Sequence, residues 1–196
     1  NGLLEYTVIV MKEVVTGLLL GFGTNFCTSI MAFAGQIVDM DIGLSMASMF
    51  DPTTKQQTSI SGVIYNYMIM LMLIISGMYR YLLSAFVEAY TLIPINGTVF
   101  RFNKMLTSFI SFMTDFVVIG FRICLPVFVV MILLNAILGV LAKVSPQLNM
   151  FAVGIQLKIL VGIGVLFLTM TMLPDAAGFV FDQMKKVMVS FVEAMS

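Results

Sequence analysis

Ten basic and ten acidic side chains are spread through this chain of 196 residues, and several stand inside otherwise apolar runs. Asp115 and Arg122 lie seven positions apart, hence on one face of a helix, and flank the apolar residues 116–121. Glu88, Lys143 and Lys158 stand beside apolar runs in the same way. An ionised group at a bilayer centre costs about 2.5–3.5 kcal/mol on insertion scales, so such residues face protein or water. Two roles are open to them. One is a proton or ion relay; the other, and the commoner, is ion pairing between helices or subunits, with long side chains reaching for the interface.

What the chain lacks excludes much other chemistry. Histidine is absent, which removes Ser-His and Cys-His dyads, zinc sites of the HExxH kind and histidine haem ligands. Cys27 and Cys124 sit singly in apolar runs and read as buried thiols that behave as small hydrophobes. The stretch GFGTNF holds a G-x-G, but with no third glycine and no strand before it, so it reads as packing. There is no Walker A motif and no nucleophile elbow. No enzyme activity, metal or cofactor is expected. With a formal net charge of +0 and no charged run, nothing points to nucleic acid.

The elements that position these residues must be largely hydrophobic. Apolar residues make up 60% of the chain and charged residues 10%, with a mean hydropathy of +1.07. Ordinary globular domains carry about 25% charged residues. Four uncharged apolar stretches stand out, at residues 14–38, 60–79, 123–142 and 159–173. A bilayer-spanning helix needs about 17–25 such residues. The first three stretches satisfy this, and the fourth is short. Backbone groups in lipid must be paired within their own segment, so these are expected to be helices.

Between them the chain changes character. DIGLSMASMFDPTTKQQ, residues 41–57, is too broken for a spanning helix and too apolar for a solvated turn. After Ile60 the apolar pattern continues past Arg80 to Leu92, predicting one long helix that ends before Pro94. Residues 104–143 predict another, kinked at Pro126 and ended by Pro146. In residues 176–195, Val180, Met184, Val187, Met188, Phe191 and Met195 recur at helical spacing, opposite Asp182, Lys185, Lys186 and Glu193. That pattern is an amphipathic helix suited to a membrane surface or a partner. Gly17, Gly21 and Gly23, and later Gly162 and Gly164, permit close helix approach. Of the 18 methionines, Met68, Met70 and Met72 read as helix-packing material, whereas Met46 and Met49 fall beside Phe50 on the broken segment.

Two blocks carry more than composition does. GQIVDMDIGLSMASMFDP at residues 35–52 and LLNAILGVLAKVSPQLNMFAVGIQLKILVG at residues 133–162 resemble the export-gate family of type III secretion systems, which includes flagellar FliR and injectisome SctT. The similarity runs from about residue 12 to 174. Asp41 stands where the family pattern has glutamine, Gln156 where proline is usual, and Lys143 where arginine is common. Family members also carry further hydrophobic segments at the front, so a shortened N-terminus is expected.

The resemblance implies an all-α fold of polytopic hydrophobic helical hairpins, packed into a hetero-oligomeric helical export gate. It implies a single FliR-like domain over residues 1–196 that forms and closes a channel for unfolded export substrates. Residues 42–57 look like the family's pore plug, with Ile42, Gly43, Leu44, Ser45, Met46, Ala47, Ser48, Met49, Phe50, Asp51 and Pro52 as its members. Small residues let a backbone crowd a narrow lumen, and Met46, Met49 and Phe50 offer a deformable apolar seal. Implied partners are FliP-like and FliQ-like gate subunits, an FlhB-like subunit and membrane lipid. The implied location is the bacterial inner membrane, within a flagellar basal body or injectisome base. The competing reading is a polytopic secondary transporter with Asp115, Arg122 and Lys158 lining a solute path; no internal repeat supports it.

Overall fold

A computed structural model of the chain describes residues 2–45, 59–92, 101–147 and 149–195. Among these residues the fold is all-α. Its elements are α1 (Gly2–Ile42), α2 (Ile60–Ile75), α3 (Met78–Leu92), α4 (Phe102–Val144), α5 (Met150–Thr169) and α6 (Leu173–Met195), with a short 3-10 turn, Met170–Met172, before α6. Three helical stretches, Glu5–Ile42, Phe102–Val144 and Ala152–Met195, are long and apolar enough to cross a membrane, and the pair α2 and α3 makes a fourth if it counts as one span.

Length alone is informative. At 43 residues α4 is about 65 Å long, twice the hydrocarbon thickness of about 30 Å. Lipid therefore does not cover all of it in an upright pose, and the rest needs protein or water around it. Much of its apolar surface has no cover in the isolated chain: Phe102 is 79% exposed, and Phe167 on α5 is 73% exposed.

Contacts divide the chain into two compact units. One comprises residues 1–30, 70–118 and 177–196; the other comprises residues 31–69 and 119–176. The helices α1, α2, α4 and α6 each give a segment to both.

The first unit is organised around α6. Val180, Met184, Val187, Met188, Phe191 and Met195 are all buried, while Asp182, Lys186 and Glu193 are exposed. The amphipathic face thus packs against the chain's own helices. Gly23 on α1 makes room for this: a Cβ there would stand 2.9 Å from Val187 Cγ1 and 3.0 Å from Phe191. Phe26 packs with tilted rings against Phe112 and Phe116 of α4, with ring centroids 5.4 and 5.0 Å away. The backbone N–H of Arg101 donates to the Ala194 carbonyl at 3.2 Å, joining the start of α4 to the end of α6.

The expected single helix from Ile60 to Leu92 is two helices. The axis turns by 75° at Ser76–Gly77, where Gly77 adopts φ +72° and the Gly77 N–H donates back to the Ile74 carbonyl. An apolar pattern does not register such a break, because a left-handed glycine stops a helix without altering hydropathy. Met70, expected as packing material, is 55% exposed. In α4 the helix continues through Pro126 without interruption.

The second unit holds the end of α1, the start of α2, the later part of α4, and α5. Its α1 stripe is Met31, Ala34, Gly35, Val38, Asp39 and Ile42, all buried and spaced by one helical face. Also buried in this unit are Gly62, Tyr65 and Ile69 of α2, and Gly120, Cys124, Val127 and Met131 of α4. Phe33 packs edge-on to Phe121, and Gly120 accommodates the Phe33 ring.

Candidate functional site

The last turn of α1 carries Asp39 and Asp41 and no basic residue. A helix C-terminus bears partial negative charge, so two carboxylates there are locally unfavourable. Asp39 is also 3% exposed, and a buried carboxylate is costly unless its oxygens are hydrogen-bonded. Its partners come from the far side of residues 46–58.

Ser59 caps α2. Its Oγ accepts from the Gly62 N–H at 2.9 Å, and its carbonyl accepts from the Val63 N–H at 3.0 Å. The same hydroxyl donates to Asp39 Oδ2 at 2.7 Å. The Ser61 N–H, one of the donors a helix start leaves open, reaches the Asp39 carboxylate at 3.2 Å to Oδ2 and 3.3 Å to Oδ1. A carboxylate misplaced at the end of one helix is therefore well placed at the positive start of the next.

One turn earlier the helices touch through backbone. A Cβ on Gly35 would stand 2.2 Å from both N and Cα of Gly62, and one on Gly62 would meet Ser59 Oγ at 2.8 Å. Gly35 and Asp39 are four apart, so the close approach and the carboxylate share a face. Only glycine on both sides allows the spacing at which Asp39 reaches the start of α2.

Beyond Asp39, Ile42 is fully buried against Gly162 of α5, where a Cβ would lie 2.6–2.8 Å from its side-chain carbons. The helix then stops: the Gly43 N–H donates to the Asp39 carbonyl at 3.0 Å, and Gly43 adopts φ +92°. Asp41 Oδ2 and Ser61 Oγ are buried without a hydrogen-bond partner among the described residues. Lys158 of α5 is near enough for its charge to act on Asp41. Of the expected plug, Ile42, Gly43, Leu44 and Ser45 stand at this exit, whereas Met46, Ala47, Ser48, Met49, Phe50, Asp51 and Pro52 lie outside the described residues.

The other expected residues are dispersed. Asp115 accepts a hydrogen bond from Gln183 Nε2 at 3.0 Å, a partner on α6 that the seven-residue spacing with Arg122 did not indicate. Arg122, Lys143 and Glu88 are exposed in the isolated chain. Gln156 is exposed on α5, which runs unbroken where the family pattern has proline. Gly23 and Gly162 are tight helix contacts; beside Gly17, Gly21 and Gly164 a Cβ would meet nothing within 4 Å among the described residues. Among the described residues, no group of three or more metal-ligating carboxylates or thiols comes together. The residues missed from the sequence are Asp39, Ser59, Ser61, Gly35 and Gly62. The available signal was an acidic pair in a last helical turn, together with a serine three before a glycine at a helix start.

A fold that is all-α among the described residues, with several helices long and apolar enough to cross a membrane, is that of a polytopic membrane component. The profile of the bacterial export proteins, family 1, matches residues 1–184, and the chain belongs to that family. It is similar to the flagellar biosynthetic protein FliR of Bacillus subtilis (29% identical over 172 residues, 86% of this chain and 66% of that protein). It is also similar to FliR of Buchnera aphidicola from Acyrthosiphon pisum (25% over 167 residues, 85% and 64%). The surface presentation of antigens protein SpaR of Shigella flexneri is 29% identical over 161 residues, 82% of this chain and 61% of that protein. The chain spans about two thirds of the length of these curated relatives.

Proposed function

We propose that this chain is a membrane-embedded subunit of a type III protein export apparatus of the flagellar kind, and that it helps to form and close the channel for unfolded substrates. The observation that carries the reading is membership of the export family over residues 1–184, joined to similarity with both a flagellar biosynthetic protein and a surface presentation of antigens protein. The bare apolar surface of α4 and α5 is consistent with it, because a gate assembled from many chains supplies protein cover along helices longer than a bilayer is thick. FliP-like, FliQ-like and FlhB-like subunits are the partners in this reading, and the bacterial inner membrane is its location.

Within the gate, residues 42–57 act as the plug. The left-handed Gly43 after a buried Ile42 supports this, since it ends α1 abruptly and sends the chain off the helix axis. Met46, Met49 and Phe50 then supply an apolar constriction that hydrated ions do not cross. Purification of the tagged chain from detergent extract tests the subunit assignment. Recovery in fixed ratio with P-type and Q-type subunits is expected. Recovery as a monodisperse monomer or dimer that binds a small solute would replace this reading with the transporter.

A further inference from the structure

Asp39 is an acid at the wrong end of its own helix, buried, and fully engaged by groups on another. Local helix chemistry gives no reason for it, and such conflicts mark positions kept for something other than local stability. We propose that Asp39 is a positioning residue for closure of the gate: a clasp that ties the point where the chain leaves α1 to the point where it enters α2. The proposal rests on the plug reading above and concerns described residues only.

The geometry gives the clasp its properties. Ser59 and Ser61 flank the first residue of α2, and both donate to one carboxylate, so the start of α2 is fixed in position and rotation relative to Asp39. The Gly35–Gly62 contact one turn below prevents the two helices from sliding into a wider packing. Ile42 seated on Gly162 fixes the last residue of α1 against α5. The exit and re-entry points are thereby held at three places. The only left-handed residue among those described at this exit, Gly43, lies just outside the fixed ring. These contacts fix the ring at the base of the plug, so the shape of the ring does not depend on what passes beyond Gly43.

Hydrogen bonds to a charged group are worth enough that removing this one changes the open population of the clasp by about tenfold or more. The test uses the assembled complex in native membrane vesicles, measuring ion leak per assembled complex and amide exchange at residues 60–62. In Asp39→Ala, leak at rest is expected to rise about tenfold with unchanged subunit ratios, and exchange at Ser61 to speed up by a similar factor. Asp39→Asn keeps an acceptor for Ser61 and a neutral contact to Ser59, so leak is expected to fall back towards the wild-type value. Rescue by asparagine separates positioning from loss of folding. If Asp39→Ala fails to assemble, Ser59→Ala removes one arm of the clasp and carries the same expectation at smaller size. Deletion of residues 45–49 is the parallel arm. If that deletion raises leak while Asp39→Ala and Ser59→Ala do not, the clasp is overturned and the plug stands. If the deletion leaves leak unchanged, the plug reading falls and the clasp falls with it.

Discussion

Replacing Gly35 by alanine is the sharpest structural test available in this chain. The added Cβ would stand 2.2 Å from Gly62 N and Cα, and these are backbone atoms with no rotamer to change. Ordinary contact begins near 3.4 Å, so α1 and α2 must part by about 1.2 Å where they now touch. The Ser61 N–H to Asp39 distances are already 3.2 and 3.3 Å, and separation on that scale carries them past hydrogen-bonding range. Overpacking costs about 1–3 kcal/mol, and a lost hydrogen bond to a charged group about 1.5–3 kcal/mol. Net of the gain in helix propensity of about 0.8–1 kcal/mol, the expected destabilisation is therefore about 1.5–5 kcal/mol, or about 3–20 °C of melting temperature for a chain of this size. Thermal melts followed by circular dichroism in one detergent suffice as the assay. Gly17→Ala is the control: it makes the same chemical change on the same helix where a Cβ meets nothing within 4 Å. There the gain in helix propensity, about 0.8–1 kcal/mol, should leave stability unchanged or slightly raised. Equal melting of the two variants would refute the backbone contact and, with it, the reason Asp39 reaches α2.

Three further outcomes are expected. Gly162→Ala should destabilise by about 1–3 kcal/mol by displacing Ile42, and Ile42→Ala in the same chain should recover part of that loss; strictly additive costs in a double-mutant cycle would show that the two do not touch. Cys27 and Cys124 are 0% and 2% exposed, so neither should react with a maleimide in the folded chain at a rate near that of a free thiol, and rapid labelling of both before unfolding would contradict the packing of α1 and α4. Gln183→Leu should cost about 1 kcal/mol by removing the donor to Asp115, whereas an unchanged melt would show that water replaces the amide without loss.

Much of the architecture was legible from period and composition, because a chain that must pair its backbone in lipid has few choices other than helix. The helical pattern of α6 identified six of the side chains that prove to be buried, yet amphipathicity says only that a face will be covered, and here the cover includes the chain's own α1 and α4. The break at Ser76–Gly77 was hidden for the opposite reason. It changes one dihedral and no hydropathy, so the apolar run read straight through it. Glycine spacing named Gly23 and Gly162, which are tight, together with Gly17, Gly21 and Gly164, which have open space beside them among the described residues; a small residue permits an approach that the spacing alone does not assign. The anchor at Asp39 was overlooked because its partners lie 20 and 22 residues away, across a segment whose ends nothing in the local pattern brings together.

The central claim is that this chain closes a conduit that forms only in an assembly. Single-channel recording of the purified multi-subunit complex in a planar bilayer tests it most directly, comparing the intact chain with one lacking residues 45–49, and with Met46→Asp. The account predicts a closed baseline for the intact complex and frequent ion-conducting openings for both variants at unchanged subunit composition. An equally silent bilayer for all three, with the variants fully assembled, would contradict it.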